Sequence, residues 1–165
     1  MLPIQKKIAN FAAAMSSNEP LNINLRSLPR EGLNVETTLN GSFFRHLDQQ
    51  EITDGHVTAS ISVRESAGSL FRIHIKAEGS VIVPCDCCLD DLEIPVEAED
   101  TLQVAYEDEL PEPTDEVTAI PASQVAYDLS WDIYETILLA LPLQRKHRHG
   151  ECNEDVAKYI AGPDE

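Results

Sequence analysis

The stretch "VTASISVRESAGSLFRIHIKA", residues 57–77, alternates apolar and polar side chains twice, once on each side of a short loop. The apolar positions are Val57, Ala59, Ile61 and Val63, followed by Phe71, Ile73, Ile75 and Ala77. A period of two residues is typical of a strand with one buried face. Two such runs joined by residues 65–69 predict an antiparallel hairpin. The sequence therefore places a sheet at the centre of the fold.

The chain on both sides of this hairpin extends the predicted sheet. Gly79 predicts a bulge or bend, after which an apolar run leads to Pro84. A further alternating run follows at residues 92–106. Pro95 lies on its polar side, and a proline at such a position is typical of an edge strand. Upstream, residues 32–39 also suit a strand.

Near the C-terminal end, in "AYDLSWDIYETILLALPLQ", residues 126–144, the apolar period becomes that of a helix. One predicted face holds Trp131, Tyr134, Leu138 and Leu141, with Ile133, Ile137 and Ala140 beside it. Ser130 or Asp128 can cap the helix, and Pro142 stops it. We therefore predict an α+β fold: a mostly antiparallel β-sheet that can curl toward a barrel, with the C-terminal helix at 130–141 packed against it.

A chain of 165 residues fits a single domain. We assign residues 1–31 to a leader of uncertain order, because Ser16–Pro20 interrupts its short helical pattern. Residues 32–160 form the predicted domain. Within it, "EDELPEPTDEVT", residues 107–118, combines six acids with two prolines and predicts an exposed, flexible loop.

The net charge of −17 is distributed unevenly, because no Lys or Arg occurs between Lys76 and Arg145. Such a surface disfavours nucleic acid, whose binding depends on Lys and Arg contacts with phosphates. Basic protein partners fit it better, although acidic surfaces also serve solubility alone. The sequence lacks the run of about 18 apolar residues that a membrane-spanning helix needs. We therefore expect no membrane partner and a cytoplasmic location.

Soft metal ligands occur in two distant segments. Cys85 and Cys88 have the C-x-x-C spacing of a zinc half-site, and Cys152 with either His147 or His149 could supply the other two ligands. A site of this kind would join the end of a strand to the chain beyond the helix. The remaining cysteine, Cys87, is one position out of phase and is interpreted as a bystander.

Two other interpretations of the cysteines stay open at this point. A thiol oxidoreductase needs a thiol whose pKa is lowered by cations or a helix N-terminus, whereas Asp86, Asp90 and Asp91 surround these thiols. Arg145 or Lys146 folded over the site could offset those acids. The third interpretation is a set of reduced cysteines in an acidic binding module without metal.

We predict that the chain is not an enzyme and has no small-molecule substrate. His46, His56 and His74 are isolated in the sequence, and we interpret each as a surface residue. No Ser or Cys is accompanied by a recognisable motif for a base and an oxyanion hole.

The segments "VIVPCDCCLDDLEIPV", residues 81–96, and "YDLSWDIYETILLALPLQRKHRHGEC", residues 127–152, resemble the bacterial YceD family of large ribosomal RNA subunit accumulation proteins. The resemblance covers roughly residues 40 to 155. It implies that Cys85, Cys88, His147 and Cys152 bind a structural zinc, and it favours His147 over His149. Cys87 occupies a position where the family often has Arg.

The resemblance also implies a non-enzymatic role in accumulation of large-subunit ribosomal RNA and in ribosome assembly. Combined with the charge distribution, it predicts a basic large-subunit ribosomal protein or an assembly factor as the partner. The basic residues Arg145, Lys146 and Arg148 are the predicted contact for RNA phosphate. Three charges predict weak, salt-sensitive binding.

Overall fold

The computed structural model of the chain describes residues 21–66, 69–110, 112, 114–148 and 152. The first twenty residues of the predicted leader and residues 153–160 of the predicted domain lie outside the described residues, as does His149.

The described residues form strands and two α-helices, with a 3-10 turn at Leu25–Ser27 and another at Glu107–Glu109. The strands are β1 (Asn22–Ile23), β2 (Leu33–Leu39), β3 (Asp54–Ser66), β4 (Leu70–Pro84), β5 (Asp91–Tyr106), β6 (Val117–Ile120) and β7 (Tyr127–Asp128). The helices are α1 (Gly41–His46) and α2 (Ser130–Ala140).

The main sheet has the strand order β2-β3-β4-β5-β6, and β1 pairs with β7 in a small separate sheet. The first three pairings of the main sheet are antiparallel, and only β5 with β6 is parallel. β2 and β6 lie at opposite edges, so the sheet is open and not closed into a barrel. The α+β prediction with a mostly antiparallel sheet is confirmed.

The predicted hairpin is formed by β3 and β4, which pair from Asp54↔Ile82 to Ser66↔Leu70. The apolar positions of both strands are buried, as the alternation predicts. Because β4 pairs in the same manner with β5, the inner strands present one continuous apolar face to the core.

Gly79 does not form a bulge, which corrects the sequence prediction. The ladder passes through it without interruption, with Val57 opposite on β3 and Val96 opposite on β5. Its φ of +153° is a conformation that side chains rarely adopt. A Cβ here would meet the carbonyl oxygen of His56 and would lie 2.8 Å from the Cα of Val57. The glycine therefore allows β3 and β4 to approach closely.

The predicted strand at 92–106 is β5, and Pro95 is exposed on its polar face as expected, in a part of the strand that is an edge because β6 pairs only with residues 103–106. β6 itself is not predicted by the sequence. Its first two residues, Val117 and Thr118, fall in the stretch assigned to the acidic loop, so that loop ends earlier than predicted. The flexibility of the loop stays a prediction.

Three residues of the segment that the sequence assigns to the leader contribute to the core. Leu21, Ile23 and Leu25 are buried. The backbone N–H of Leu21 donates to the Ser130 hydroxyl (3.2 Å), and its carbonyl accepts from the N–H of Leu129 (2.9 Å). The hydroxyl of Ser130 is thus used to hold this segment, while the Asp128 carboxylate accepts from the N–H at the start of α2.

Helix α2 packs on β4 and β5, as predicted. Its buried side is formed mainly by Ile133, Tyr134 and Ile137, with Leu141 just past the helix. The helical spacing predicts Trp131 on this buried side, but its side chain is 49% exposed, so this prediction is wrong. Among the residues that the structure describes, no helix combines the length and apolar character needed to cross a membrane.

Candidate metal centre

The C-x-x-C segment forms the tight turn between β4 and β5. Cys85 donates its N–H to the carbonyl of Asp90 (2.9 Å), and Leu89 donates to the carbonyl of Cys85 (2.9 Å). Leu89 has a φ of +64°, which reverses the chain direction at the end of the turn. The turn buries the side chains of Cys85 and Cys88.

Asp86, inside the same turn, fixes the chain that follows α2. Its N–H donates to the carbonyl of Arg145 (2.7 Å), and its carboxylate accepts from the N–H of Arg145 (2.8 Å). This reciprocal pair lies two residues before His147. In the sequence, Asp86 is recognisable only as a charge beside the thiols. Its partner is a backbone group 59 positions away, which no sequence pattern indicates.

The two segments bring together the four residues that the resemblance implies: Cys85, Cys88, His147 and Cys152. One ligand atom from each lies within 4.8 Å of every other. The sulfurs of Cys85 and Cys152 are 3.7 Å apart, and the His147 Nδ1 lies 3.4 Å from the Cys88 sulfur and 3.7 Å from the Cys152 sulfur.

These separations fit a single tetrahedral zinc ion. Zinc bonds sulfur at about 2.3 Å and nitrogen at about 2.0–2.1 Å, so two sulfurs of one tetrahedron lie about 3.8 Å apart and a sulfur and a nitrogen about 3.6 Å apart. Three thiols with one imidazole are also a usual donor set for structural zinc. The four residues could therefore hold a metal ion with little rearrangement.

Groups around the four ligands orient them. The Nε2 atom of His147 lies 3.0 Å from the carbonyl oxygen of Asp91, so this nitrogen is the N–H donor and Nδ1 is left facing the sulfurs. The N–H of Cys87 lies 3.4 Å from the Cys85 sulfur and donates to it. Hydrogen bonds of both kinds are typical of the groups that surround metal ligands in proteins.

The thiols of the centre differ in their acidity. Burial by itself raises the pKa of the Cys85 thiol, but the backbone amides of Cys88, Cys87 and His147 and the thiol of Cys152 outweigh burial and lower this pKa to about 6. Burial, together with the neighbouring thiols, raises the pKa of Cys152 to about 12. The hydrogen bond to Asp91 raises the pKa of His147.

The expectation that nearby acids disfavour a thiolate is therefore wrong for Cys85, because backbone N–H groups stabilise the anion at close range. This does not favour an oxidoreductase. A reactive thiol has to be accessible, and Cys85 is fully buried.

We predict that the metal-free protein, prepared with a chelator, titrates one thiolate with a midpoint near pH 6. The folded pKa lies below the value of 9.0 for an unperturbed thiol, so this group stabilises the folded state fully above pH 9. That contribution falls as the pH drops from 9 through 6. His147 acts in the opposite direction, so thiolate absorbance is the measurement that isolates Cys85. Cys85→Ser should abolish the titration, and Cys87→Ser should retain it; a midpoint near 9 in the folded protein would contradict the prediction.

The three basic residues beside the centre are not equivalent. The guanidinium of Arg145 pairs with the Glu51 carboxylate at 2.8 Å, and its side chain is only 19% exposed. Arg145 therefore has a structural partner within the fold, which argues against its predicted role as a phosphate contact. Lys146 and Arg148 are exposed.

A depression of about 330 Å³ lies on the polar side of β2, β3 and β4. His74 lines it, but its Nδ1 lies 2.8 Å from the hydroxyl of Thr101 and its Nε2 lies 2.9 Å from the Glu99 carboxylate. Neither ring nitrogen is left to act as a base toward Ser60 or Ser62, which line the same depression.

Comparison with protein families gives one match that covers more than half of the chain. A family model described as "Large ribosomal RNA subunit accumulation protein YceD" matches residues 73–165. No curated protein and no solved structure matches the chain. The matched region begins within β4 and includes the C-x-x-C turn, α2 and all four candidate ligands.

Proposed function

The chain belongs to the YceD family of large ribosomal RNA subunit accumulation proteins, and from this premise we propose that it is a non-enzymatic accessory factor in assembly of the large ribosomal subunit. We further propose that a structural zinc ion, bound by Cys85, Cys88, His147 and Cys152, fixes the chain after α2 to the β4–β5 turn. The observation that carries the zinc proposal is the convergence of the four ligand atoms within 4.8 Å.

The ligand set supports a structural role for the metal. Four protein ligands fill a tetrahedral zinc and leave no position for water or substrate, whereas catalytic zinc keeps one position open. Bound there, zinc would hold residues 145–152 against the sheet, together with the Asp86–Arg145 hydrogen bonds. The resulting surface would present Lys146 and Arg148 to a partner.

The charge of the chain supports a basic protein as the main partner. The sheet strand β5 and helix α2 carry acids and no Lys or Arg. A large-subunit ribosomal protein, which must neutralise RNA phosphates, has the complementary charge. Lys146 and Arg148 are the remaining candidates for a weak phosphate contact. We place this activity in the cytoplasm, where thiols stay reduced and available to zinc.

Deletion of the gene from the source cell is expected to lower the ratio of large-subunit to small-subunit ribosomal RNA, measured on total RNA. The wild-type gene and a Cys87→Ser variant should restore the ratio. Cys88→Ser should restore it poorly, because the C-terminal segment loses its anchor. An unchanged ratio in the deletion strain would overturn the proposed function, and full restoration by Cys88→Ser would overturn the role of the zinc in it.

A further inference from the structure

Helix α2 presents a row of large apolar side chains to solvent on the side away from the core. Trp131 is 49% exposed, Leu139 is 83% exposed, and Leu143, just past the helix, is fully exposed. Trp131 and Leu139 are eight residues apart, which is about 12 Å along a helix axis. Leu138, which is partly buried, is seven residues from Trp131 and packs against the core. Scattered single apolar residues are normal on a surface, whereas a row of this kind marks a contact surface.

Trp131 is held in place rather than free to turn. Its ring meets the ring of Tyr134 edge to face, with centroids 5.4 Å apart and an angle of 85° between planes. Tyr134 is itself buried in the core, so the exposed indole of Trp131 packs against a side chain that is fixed in position. Rigid aromatic side chains of this kind serve as anchors in protein interfaces because little conformational entropy is lost on binding.

Acidic side chains accompany the apolar row. Glu135 lies four residues from both Trp131 and Leu139, Asp132 lies in the first turn of the helix, and Asp128 precedes the helix by two residues. Burial first, and then the charges of Glu135 and Asp128, raise the pKa of Asp132, while a hydrogen bond with Tyr127 lowers it. No Lys or Arg occurs in α2 to neutralise these carboxylates.

We propose that the α2 ridge, defined as Trp131, Leu139 and Leu143 with the acids Asp132 and Glu135, docks a basic amphipathic segment of a partner protein. Apolar side chains of that segment would pack on Trp131 and Leu139, and its Lys or Arg side chains would pair with the two carboxylates. The inference rests on the proposed function, and it adds the place and the chemistry of the protein contact.

The composition of the ridge decides between classes of partner. RNA would bring phosphates against Asp132 and Glu135, where no cation of α2 could receive them. A basic amphipathic segment satisfies both the carboxylates and the apolar side chains, and helices commonly bind a groove or ridge through residues spaced three to four apart.

The ridge can be observed directly, because Trp131 is the only tryptophan of the chain. Three synthetic helical peptides serve as probes: one of Lys and Leu, one of Lys and Ser with equal charge, and one of Glu and Leu. We expect the Lys/Leu peptide alone to shift the Trp131 emission to the blue in a saturable manner. Equal shifts with the Lys/Ser peptide, or with a single-stranded RNA oligonucleotide, would overturn the proposal.

Substitutions on the ridge then test its contacts. Leu139→Ser and Glu135→Lys should each weaken Lys/Leu peptide binding by about tenfold, as loss of an interface anchor worth about 1.4 kcal/mol requires. Val125→Ser, which changes another exposed apolar residue outside α2, is the control and should leave affinity unchanged. Unchanged thermal stability of Leu139→Ser keeps the result interpretable. Equal loss in all three variants would overturn the proposal.

A final experiment separates this inference from the proposed function. Purified large-subunit ribosomal proteins are passed over immobilised wild-type and Leu139→Ser protein. Retention of a basic protein by the wild type and not by Leu139→Ser supports the ridge. Equal retention by both would overturn the ridge while leaving the proposed function intact.

Removal of residues 153–165 should leave the Trp131 emission unchanged, and a red shift would show that the chain's own C-terminal segment is the occupant.

Discussion

Replacement of Cys88 by serine is expected to remove zinc from the purified protein and to lower its thermal unfolding midpoint by about 10 °C or more. Structural zinc contributes on the order of 10 kcal/mol to the folding of zinc-finger peptides. This chain also has a hydrophobic core, so we expect the loss of one ligand to cost about 4 kcal/mol. In a chain of this size, that corresponds to about 8–16 °C.

The measurement is metal analysis of untagged protein together with thermal unfolding. Wild-type protein should contain about one zinc per chain. Cys87→Ser is the matched control, because Cys87 lies in the same turn but outside the set of four ligands, and it should retain both the zinc and the stability. Wild-type protein free of zinc after purification without chelator would contradict the prediction. The chain would then be an acidic binding module with reduced cysteines.

Gly79→Ala is expected to destabilise the fold by about 3 kcal/mol or more. The φ of +153° is strained for any residue with a side chain. The added Cβ would also press against the backbone of His56 and Val57 on β3. Neither contact is the end of a flexible side chain, so relief requires β3 and β4, which pair over 13 residues, to separate.

Urea unfolding at constant pH and zinc concentration tests this prediction. Ser80→Ala, at the adjacent position of β4, which already has a Cβ, is the control and should change the free energy of unfolding by less than about 1 kcal/mol. A Gly79→Ala protein as stable as the wild type would show that β3 and β4 can move apart here at little cost.

The central sheet could be predicted because its signal is local. β3, the first half of β4 and the first half of β5 alternate in polarity, and each of these strands pairs with a neighbour in sequence, so the alternation predicts both the strands and their order. β6 could not be predicted in this way. It has only four residues and pairs in parallel with β5, and a strand of that length has too few positions to show a period.

The sequence gives the least guidance where distant residues decide the structure. Leu21 is buried because it pairs with the beginning of α2, more than one hundred residues away. Arg145 has its charge satisfied by Glu51, and no local pattern connects the two. Trp131 is misplaced for another reason. Apolar residues occur on more of the circumference of α2 than the part that packs against the sheet, so helical spacing alone does not show that Trp131 is exposed.

The family resemblance identifies all four candidate ligands, whereas the spacing of the residues alone does not distinguish His147 from His149. The geometry around His147 supplies a physical reason for that choice. Its ring nitrogen is oriented by the carbonyl of Asp91, and the Asp86–Arg145 pair fixes the backbone two residues earlier. Neither contact has a signature in the sequence, because both involve backbone groups.

The separation of 59 residues between Cys88 and His147 has a consequence for the order of folding. The hairpin contacts of β3, β4 and β5 join neighbouring segments and can form early, whereas the thiol–imidazole cluster has to wait for a long loop to close. Interactions that form after the rate-limiting barrier slow unfolding and leave the folding rate nearly unchanged. Zinc in this protein would therefore bind after the sheet has formed, and it would mainly lower the unfolding rate and so lengthen the lifetime of the native state.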